Sequence, residues 1–453
     1  MSETKLPRVY FLSLGCFKNT VDSERMIQEL LNEGFELTER PQESGIIVVN
    51  TCGFIDPAKE ESIEAILEAA LYKKSGKLEA LVVAGCMVER FREDLERLIP
   101  EVDLFLGLDE EGGIGKALKE KLGLAPEIKI PAAGRGHGRV FLTPPHLSFL
   151  KIAEGCSRRC SFCTIPSIRG QFRSKSIDEL VKEAQHLESL GVRELNVISQ
   201  DTVSYRDRSG RGLVELLRQI LSNTGIPWIR LLYLNPAGFG DDLMDLLGLE
   251  ERLLAYVDIP IQHISNTLLK RMGRGVSRED IEALIWALRQ RVPGVTLRTT
   301  VLVGFPGEED DHFRELLDFL EEVQFERLGV FPFSCEEGTP ASRLPGQVAE
   351  EVKQERCFQV MELQRAISWK KCRARRGTRT EVIVDTAIDK ADPDDEVIRL
   401  LARRPDISFI GRSRCEAYEV DGVIYLAGEY EVGEFADVRI VDSMEYDLVG
   451  ERN

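Results

Sequence analysis

Three short apolar runs in the first ninety residues of this chain each lead into a cysteine. RVYFLSLG (8–15) runs into Cys16, GIIVVN (45–50) is followed by Thr51 and Cys52, and LEALVVAG (78–85) runs into Cys86. Helical patterns separate them: TVDSERMIQELLNEGF (20–35) and DPAKEESIEAILEAALYKK (56–74), the second with Asp56 as N-cap and Pro57 at the first helical position. This alternation predicts parallel strands under covering helices, a sheet whose ligands collect beyond the carboxyl ends of its strands. One edge would then hold three thiols. A single cysteine there is an ordinary small buried residue, whereas one after each of three strands predicts a shared metal cluster at Cys16, Cys52 and Cys86.

A second trio lies closer together. EGCSRRCSFCTIP (154–166) spaces Cys156, Cys160 and Cys163 as C-x3-C-x2-C. It closes the first of six further strand patterns, LSFLKIAEG (147–155), which ELNVIS (194–199), WIRLLYL (228–234), YVDIP (256–260), TLRTTVLVG (296–304) and RLGVFPF (327–333) follow. Helical patterns at 176–191, 278–291 and 309–324 intervene, so an open or partial (β/α)6 barrel is expected, with its chemistry at the C-terminal mouth where the trio lies. Structural zinc wants four closed ligands, and the nearest downstream candidate, His186, falls in a predicted helix. Three thiolates suit a [4Fe-4S] cluster with one iron open to a further ligand. Zinc completed by a distant residue is the alternative.

At 453 residues the chain is too long for one ordinary domain, and length alone predicts about three. A Gly- and Pro-rich stretch (131–145) parts the first two, and short alternating patterns begin near residue 377: 380–387, 396–403, 415–428 and 434–451. The expected division is 5–135, a parallel α/β sheet domain; 142–375, the partial barrel; and 377–447, a small all-β unit. No run approaches the roughly 18 apolar residues of a membrane span, and the start lacks a signal-peptide pattern, so a cytoplasmic protein is expected. In a reducing compartment its ten cysteines read as metal ligands, catalytic thiols or core residues rather than disulfides.

The second trio and its surroundings, EGC….C.FC.IPS.RG, resemble the methylthiotransferases among the radical S-adenosylmethionine enzymes, a likeness that spans essentially the whole chain. The resemblance implies two [4Fe-4S] clusters, an auxiliary one at Cys16, Cys52 and Cys86 and one at Cys156, Cys160 and Cys163 whose open iron chelates S-adenosylmethionine. It also implies an electron donor such as flavodoxin or ferredoxin. SLGCFKNTVDSE (13–24), NTCGFIDPAKEESI (50–63), VISQDT (197–202), DIPIQHIS (258–265) and VGFPGE (303–308) are most similar to the branch that methylthiolates the β-carbon of an aspartate in the twelfth protein of the small ribosomal subunit. The other branch modifies adenosine 37 of transfer RNA. Departures from the pattern are Phe17 in place of Pro, Lys175 in place of Arg, and Cys335 in FSCEEGTP, an added thiol near the mouth that also fits as a small half-buried residue. Cys357, Cys372 and Cys415 read as core.

The likeness also marks cofactor contacts. Phe162 resembles the aromatic whose backbone meets the adenine, though core packing explains it too. Ser199, Gln200 and Gln262 close strands at the mouth, where cofactor or substrate comes within reach. Gly304, Gly307 and Glu308 follow the fifth strand, where glycine permits close approach to a ligand or simply a turn. His263 has two readings, chemistry or a bond to nearby backbone.

The last segment resembles the small TRAM β-barrel, which in the transfer RNA branch is an RNA-binding surface. Residues 381–453 carry 19 acidic and 8 basic side chains, a net −11 of the chain's −18. That sign opposes RNA and suits a basic ribosomal protein, unless it serves solubility alone. The exception is QRAISWKKCRARRG (364–377), whose six basic residues either touch RNA or balance the acidic barrel.

Overall fold

The computed structural model describes residues 7–123, 140–388 and 395–452, apart from 75 and 77. Most of the predicted 131–145 loop lies outside them.

The apolar runs at the start become parallel strands β1 (Val9–Ser13), β2 (Ile46–Thr51), β3 (Ala80–Gly85) and β4 (Leu104–Leu106), adjacent in that order. Every residue of β2 and β3 is buried, as a strand covered on both faces demands. Helices α1 (Phe17–Asn32), α2 (Asp56–Lys74), α3 (Cys86–Leu98) and α4 (Ile114–Lys121) cover them. β4 was not foreseen, since three residues are too few for a periodic signal.

The central unit opens with β5 (Leu147–Lys151). A short antiparallel pair, β6 (Ala153–Glu154) and β7 (Arg173–Ser174), brackets the loop that holds the second trio and α5 (Ile165–Ile168). α6 (Ile177–Ser189), β8 (Glu194–Ile198), α7 (Leu213–Asn223), β9 (Trp228–Leu231), α8 (Asp241–Leu249) and β10 (Leu253–Asp258) continue the alternation. It finishes with α9 (Asn266–Met272), α10 (Arg278–Arg291), β11 (Thr296–Val303), α11 (Asp310–Val323), β12 (Arg327–Pro332) and the long α12 (Glu350–Ala374). Six parallel strands thus lie in sequence order in one sheet, the expected partial barrel.

Strand alternation sends Leu150, Leu195, Val197 and Leu231 outward against the helices. Phe149, Ile198, Trp228 and Tyr256 turn inward, where Val21 of α1 and Ile383 and Ala417 of the last unit join them. Phe17 stacks on Phe149 with ring centroids 4.2 Å apart, and Trp228 meets Phe435 at 5.0 Å. The inner face of the open sheet is therefore packed by residues from both other units.

The last unit is a closed barrel of β13 (Arg379–Ala387), β14 (Ile407–Ser413), β15 (Ile424–Ala427), β16 (Phe435–Ser443) and β17 (Leu448–Arg452), in the order 13-14-15-17-16. The strand expected at 396–403 is instead helix α13 (Asp395–Arg403). Val397, Leu400 and Leu401 recur at helical spacing and pack together against Ile407 and Tyr425, which a two-residue period would not allow. The basic run ending α12 is largely paired. Arg365 meets Glu445, Arg375 Glu416, Arg376 Asp442 and Lys371 Glu326 at 2.5–3.5 Å, so these charges balance carboxylates.

Candidate active site between two thiol triads

Parallel strands deliver the first three cysteines to one edge. Cys16 caps the N-terminus of α1 just after β1, Cys52 follows β2 directly, and Cys86 opens α3 directly after β3. Two glycines make the approach close. Gly15 has φ +89°, and a Cβ on it would lie 2.8 Å from the Cβ of Cys52. Gly85 has φ +97°, and a Cβ there would fall 2.2 Å from Asn50 Oδ1. No L side chain fits either place without displacement.

The second triad occupies the loop between β6 and α5. N–H groups point at its sulfurs: the amide of Arg158 donates to Cys156 Sγ at 3.4 Å, the amide of Ile165 to Cys163 Sγ at 3.5 Å, and Arg274 Nη1 to Cys160 Sγ at 3.5 Å. Such donors are what a thiolate-held cluster uses to offset its charge. Burial pushes the Cys163 thiol up to about 12 and raises Cys156 as well, so a cation must displace these protons.

The segment that follows the second triad bonds directly to the first triad and its surroundings. Arg169, buried six residues after Cys163, donates from Nε to Cys86 Sγ at 3.2 Å and from Nη1 to Asp22 Oδ2 at 3.0 Å and Glu154 Oε1 at 2.8 Å; Nη2 reaches Asn19 at 3.3 Å. Thr164, next to Cys163, donates to the carbonyl of Phe54 at 3.4 Å. Burial pushes Cys86 up to about 12 against the pull of Arg169. Desolvation also raises Cys16, the most open of the three, but Lys18 and Arg169 more than reverse this and leave it below its ordinary value. Within each triad the thiols perturb one another electrostatically. Among the described residues, however, no three Cys, His, Asp or Glu side chains close around a point as a single ion requires. Three thiols and N–H donors aimed at sulfur are the donor set of a [4Fe-4S] cluster with one open iron, whereas closed structural zinc takes four ligands.

The remaining predicted residues divide. Gln200 sits at the mouth after β8, donating to Glu154 Oε1 at 3.0 Å while its own Oε1 is buried without a partner among the described residues. Gln262 holds a left-handed φ of +69°, the kind of strain found at functional sites. Ser199 is fully buried and bonded within its own turn, to the amide of Asp201. Phe162 packs with Leu268, Met272 and Phe305. The space beside Gly304 is filled by the stem of Lys353, and Glu308 accepts from the Gly304 amide and from Arg356. Beside Gly307 lies the guanidinium of Arg271. His263 takes its structural reading: Nδ1 accepts from the amides of Ile264 and Ser265. Cys335 is exposed, beside Glu336, which binds Lys59 and Arg90 of the first unit.

Sequence reasoning did not single out Arg169, Arg274 or Lys18. Their signals, the RG at 169–170, the GRG at 273–275 and the KN at 18–19, are short, and their partners lie far away in the chain.

The Radical SAM superfamily matches residues 150–320, the TRAM domain residues 377–452, and UPF0004, an uncharacterized protein family, residues 8–107. An open six-stranded (β/α) sheet with a three-thiol loop after its first strand, read with that match, defines a radical S-adenosylmethionine enzyme. The methyltransferase TsrM of Kitasatospora setae, a radical S-adenosylmethionine enzyme solved with cobalamin and a [4Fe-4S] cluster, shares the fold at TM-score 0.53, with 16% identity over 74% of each chain. Ribosomal protein uS12 methylthiotransferases RimO from Geotalea uraniireducens and Pelobacter propionicus are 41% and 42% identical over 100% of this chain and 99% of their own. The chain belongs to the RimO family of ribosomal protein uS12 methylthiotransferases.

Proposed function

We propose that this enzyme methylthiolates the β-carbon of an aspartate in uS12, the twelfth protein of the small ribosomal subunit, in the cytoplasm. Full-length identity to uS12 methylthiotransferases carries the substrate, and the transfer RNA reading is not favoured. In this reading Cys16, Cys52 and Cys86 hold the auxiliary cluster, and Cys156, Cys160 and Cys163 hold the one that binds S-adenosylmethionine. When bound, these groups supply the electron, the methyl group and the hydrogen abstraction that an unactivated C–H bond needs, its proton being beyond any side-chain base.

The residues around them orient and neutralise. Arg169 and Arg274 each present N–H donors and a fixed positive charge to a sulfur ligand, one per triad. Arg158 ties the second triad to the end of β8, its Nε donating to Asp201 at 2.6 Å. Gln200 and Gln262 face cofactor or substrate at the mouth; Phe162, Ser199 and Gly304 shape its wall, with the backbone of Phe162 left to the adenine. The third barrel, net −11 over residues 381–453, attracts a basic ribosomal protein. A one-electron donor such as flavodoxin or ferredoxin serves as the reductant.

The test is reconstitution with uS12 and alanine at one cysteine of each triad. Loss of product from both variants, with loss of S-adenosylmethionine cleavage only for Cys156, Cys160 or Cys163, is expected. Full activity in any variant refutes the assignment.

A further inference from the structure

Lys18 is a buried lysine in the heart of the site with no carboxylate partner among the described residues, though it and the Cys16 thiol act on each other electrostatically. Only 7% of the residue is exposed, yet no described carboxylate lies within ion-pair reach of it; Nζ stands 3.0 Å from the centroid of the Tyr233 ring. The nearest acids are engaged elsewhere. Asp258 accepts from Arg298 at 2.8 Å and from the Tyr233 amide at 2.9 Å, while Glu154 is held by Lys151, Arg169 and Gln200.

Its position is also specific. Lys18 lies two residues beyond Cys16, and Tyr233 and Asp258 follow or end strands β9 and β10 at the barrel mouth, so the ammonium stands between the auxiliary triad and the central barrel. Tyr233 holds a left-handed φ of +61°, strain that the fold maintains in order to present this ring. A buried ammonium that no carboxylate pairs is costly, and a site keeps one when a ligand carboxylate completes its pairing.

We propose that Lys18 over Tyr233 is the subsite for the side-chain carboxylate of the substrate. This rests on the uS12 aspartate reading above and deepens it: the carbon to be modified is bonded directly to that carboxylate, so anchoring the carboxylate fixes which C–H bond faces the chemistry. A site built to pair a charge rejects the analogue that lacks it far more strongly than an apolar pocket can.

The experiment compares uS12 carrying its aspartate with uS12 carrying asparagine in its place, on the wild type and on Lys18→Met, after both clusters have been reconstituted and counted by iron content. Wild type is expected to prefer aspartate by about a hundredfold or more in kcat/KM. Lys18→Met should lose most of that preference, through a fall on the aspartate substrate alone, and Lys18→Arg should recover part of it. Uncoupled cleavage of S-adenosylmethionine at the Cys156 triad should persist, and iron content is read beside it so that any effect through Cys16 is separated from the aspartate preference. Unchanged aspartate preference in Lys18→Met overturns the proposal. So does a loss of auxiliary iron with the preference intact, which would make Lys18 a counter-ion of Cys16. Wild type that modifies neither protein, while cleaving S-adenosylmethionine, refutes the substrate reading itself. Should Lys18→Met not fold, the wild-type aspartate-to-asparagine ratio and Lys18→Arg decide: a ratio near one overturns the subsite.

Discussion

Arg169 Nε donates to Cys86 Sγ at 3.2 Å, so a residue of the second cysteine loop is bonded to a thiol of the first triad. The same guanidinium grips Asp22 of α1 and Glu154 of β6, which makes it the fastener between the two halves of the site. Arg169→Lys keeps the charge but not the planar fork. Auxiliary-cluster occupancy or product formation should fall about 10- to 100-fold, as for other groups that orient a metal ligand. S-adenosylmethionine should still be cleaved, and iron analysis alongside 5′-deoxyadenosine assay will show the split.

Gly85→Ala places a methyl group where Asn50 and Thr51 already stand, at a φ that L residues avoid. Stability should drop by about 1–3 kcal/mol from backbone strain alone. Because Cys86 is the next residue, reconstituted iron should fall by about half while the Cys156 triad keeps its cluster. Thermal unfolding and iron content measure the two effects separately.

Glu194 is wholly buried between Arg230 at 2.9 Å and Arg412 of the third unit at 2.7 Å, and Arg412 also pairs with Asp385. Glu194→Gln leaves Arg230 with no carboxylate among the described residues and Arg412 with Asp385 alone, a loss of about 3–5 kcal/mol. The melting temperature should fall sharply without change in the iron content of the folded fraction.

Burial, with smaller electrostatic contributions from His312 and Arg356, pushes His263 down to about 3 from its ordinary 6.5. The fold holds it neutral, whereas the unfolded chain takes up the proton first as pH drops. Its contribution is therefore complete above pH 6.5 and is lost as pH falls from there toward 3. Glu416, pushed down to about 2 by Arg375 and Arg327 against its burial, adds a loss of the same sign below its ordinary 4.5. His263→Asn keeps an acceptor for the two amides it serves but cannot titrate. Its melting temperature should decline less than that of wild type between about pH 7 and pH 5.

Periodicity carried the fold a long way. Helix α2 falls at 56–74 as read, and five of the six strands of the central sheet lie where their apolar runs placed them, because both patterns are local, while β10 begins three residues earlier than YVDIP suggested. The cysteines were legible for a related reason: a parallel sheet converts distant strand ends into neighbours. Helix α13 was misread because short apolar runs satisfy either period until packing chooses one. Arg169, Arg274 and Lys18 were illegible for the opposite reason. A guanidinium is common on any surface, and what distinguishes Arg169 is a sulfur 83 residues away in the chain.

Mass spectrometry of small-subunit ribosomal proteins, from cells with and without this gene, tests the central claim most directly. The account predicts a gain of about 46 Da, one CH2S, on a single aspartate of uS12 that disappears with the gene. Unmodified uS12 in gene-bearing cells, with 2-methylthio adenosine lost from transfer RNA when the gene is removed, would contradict it.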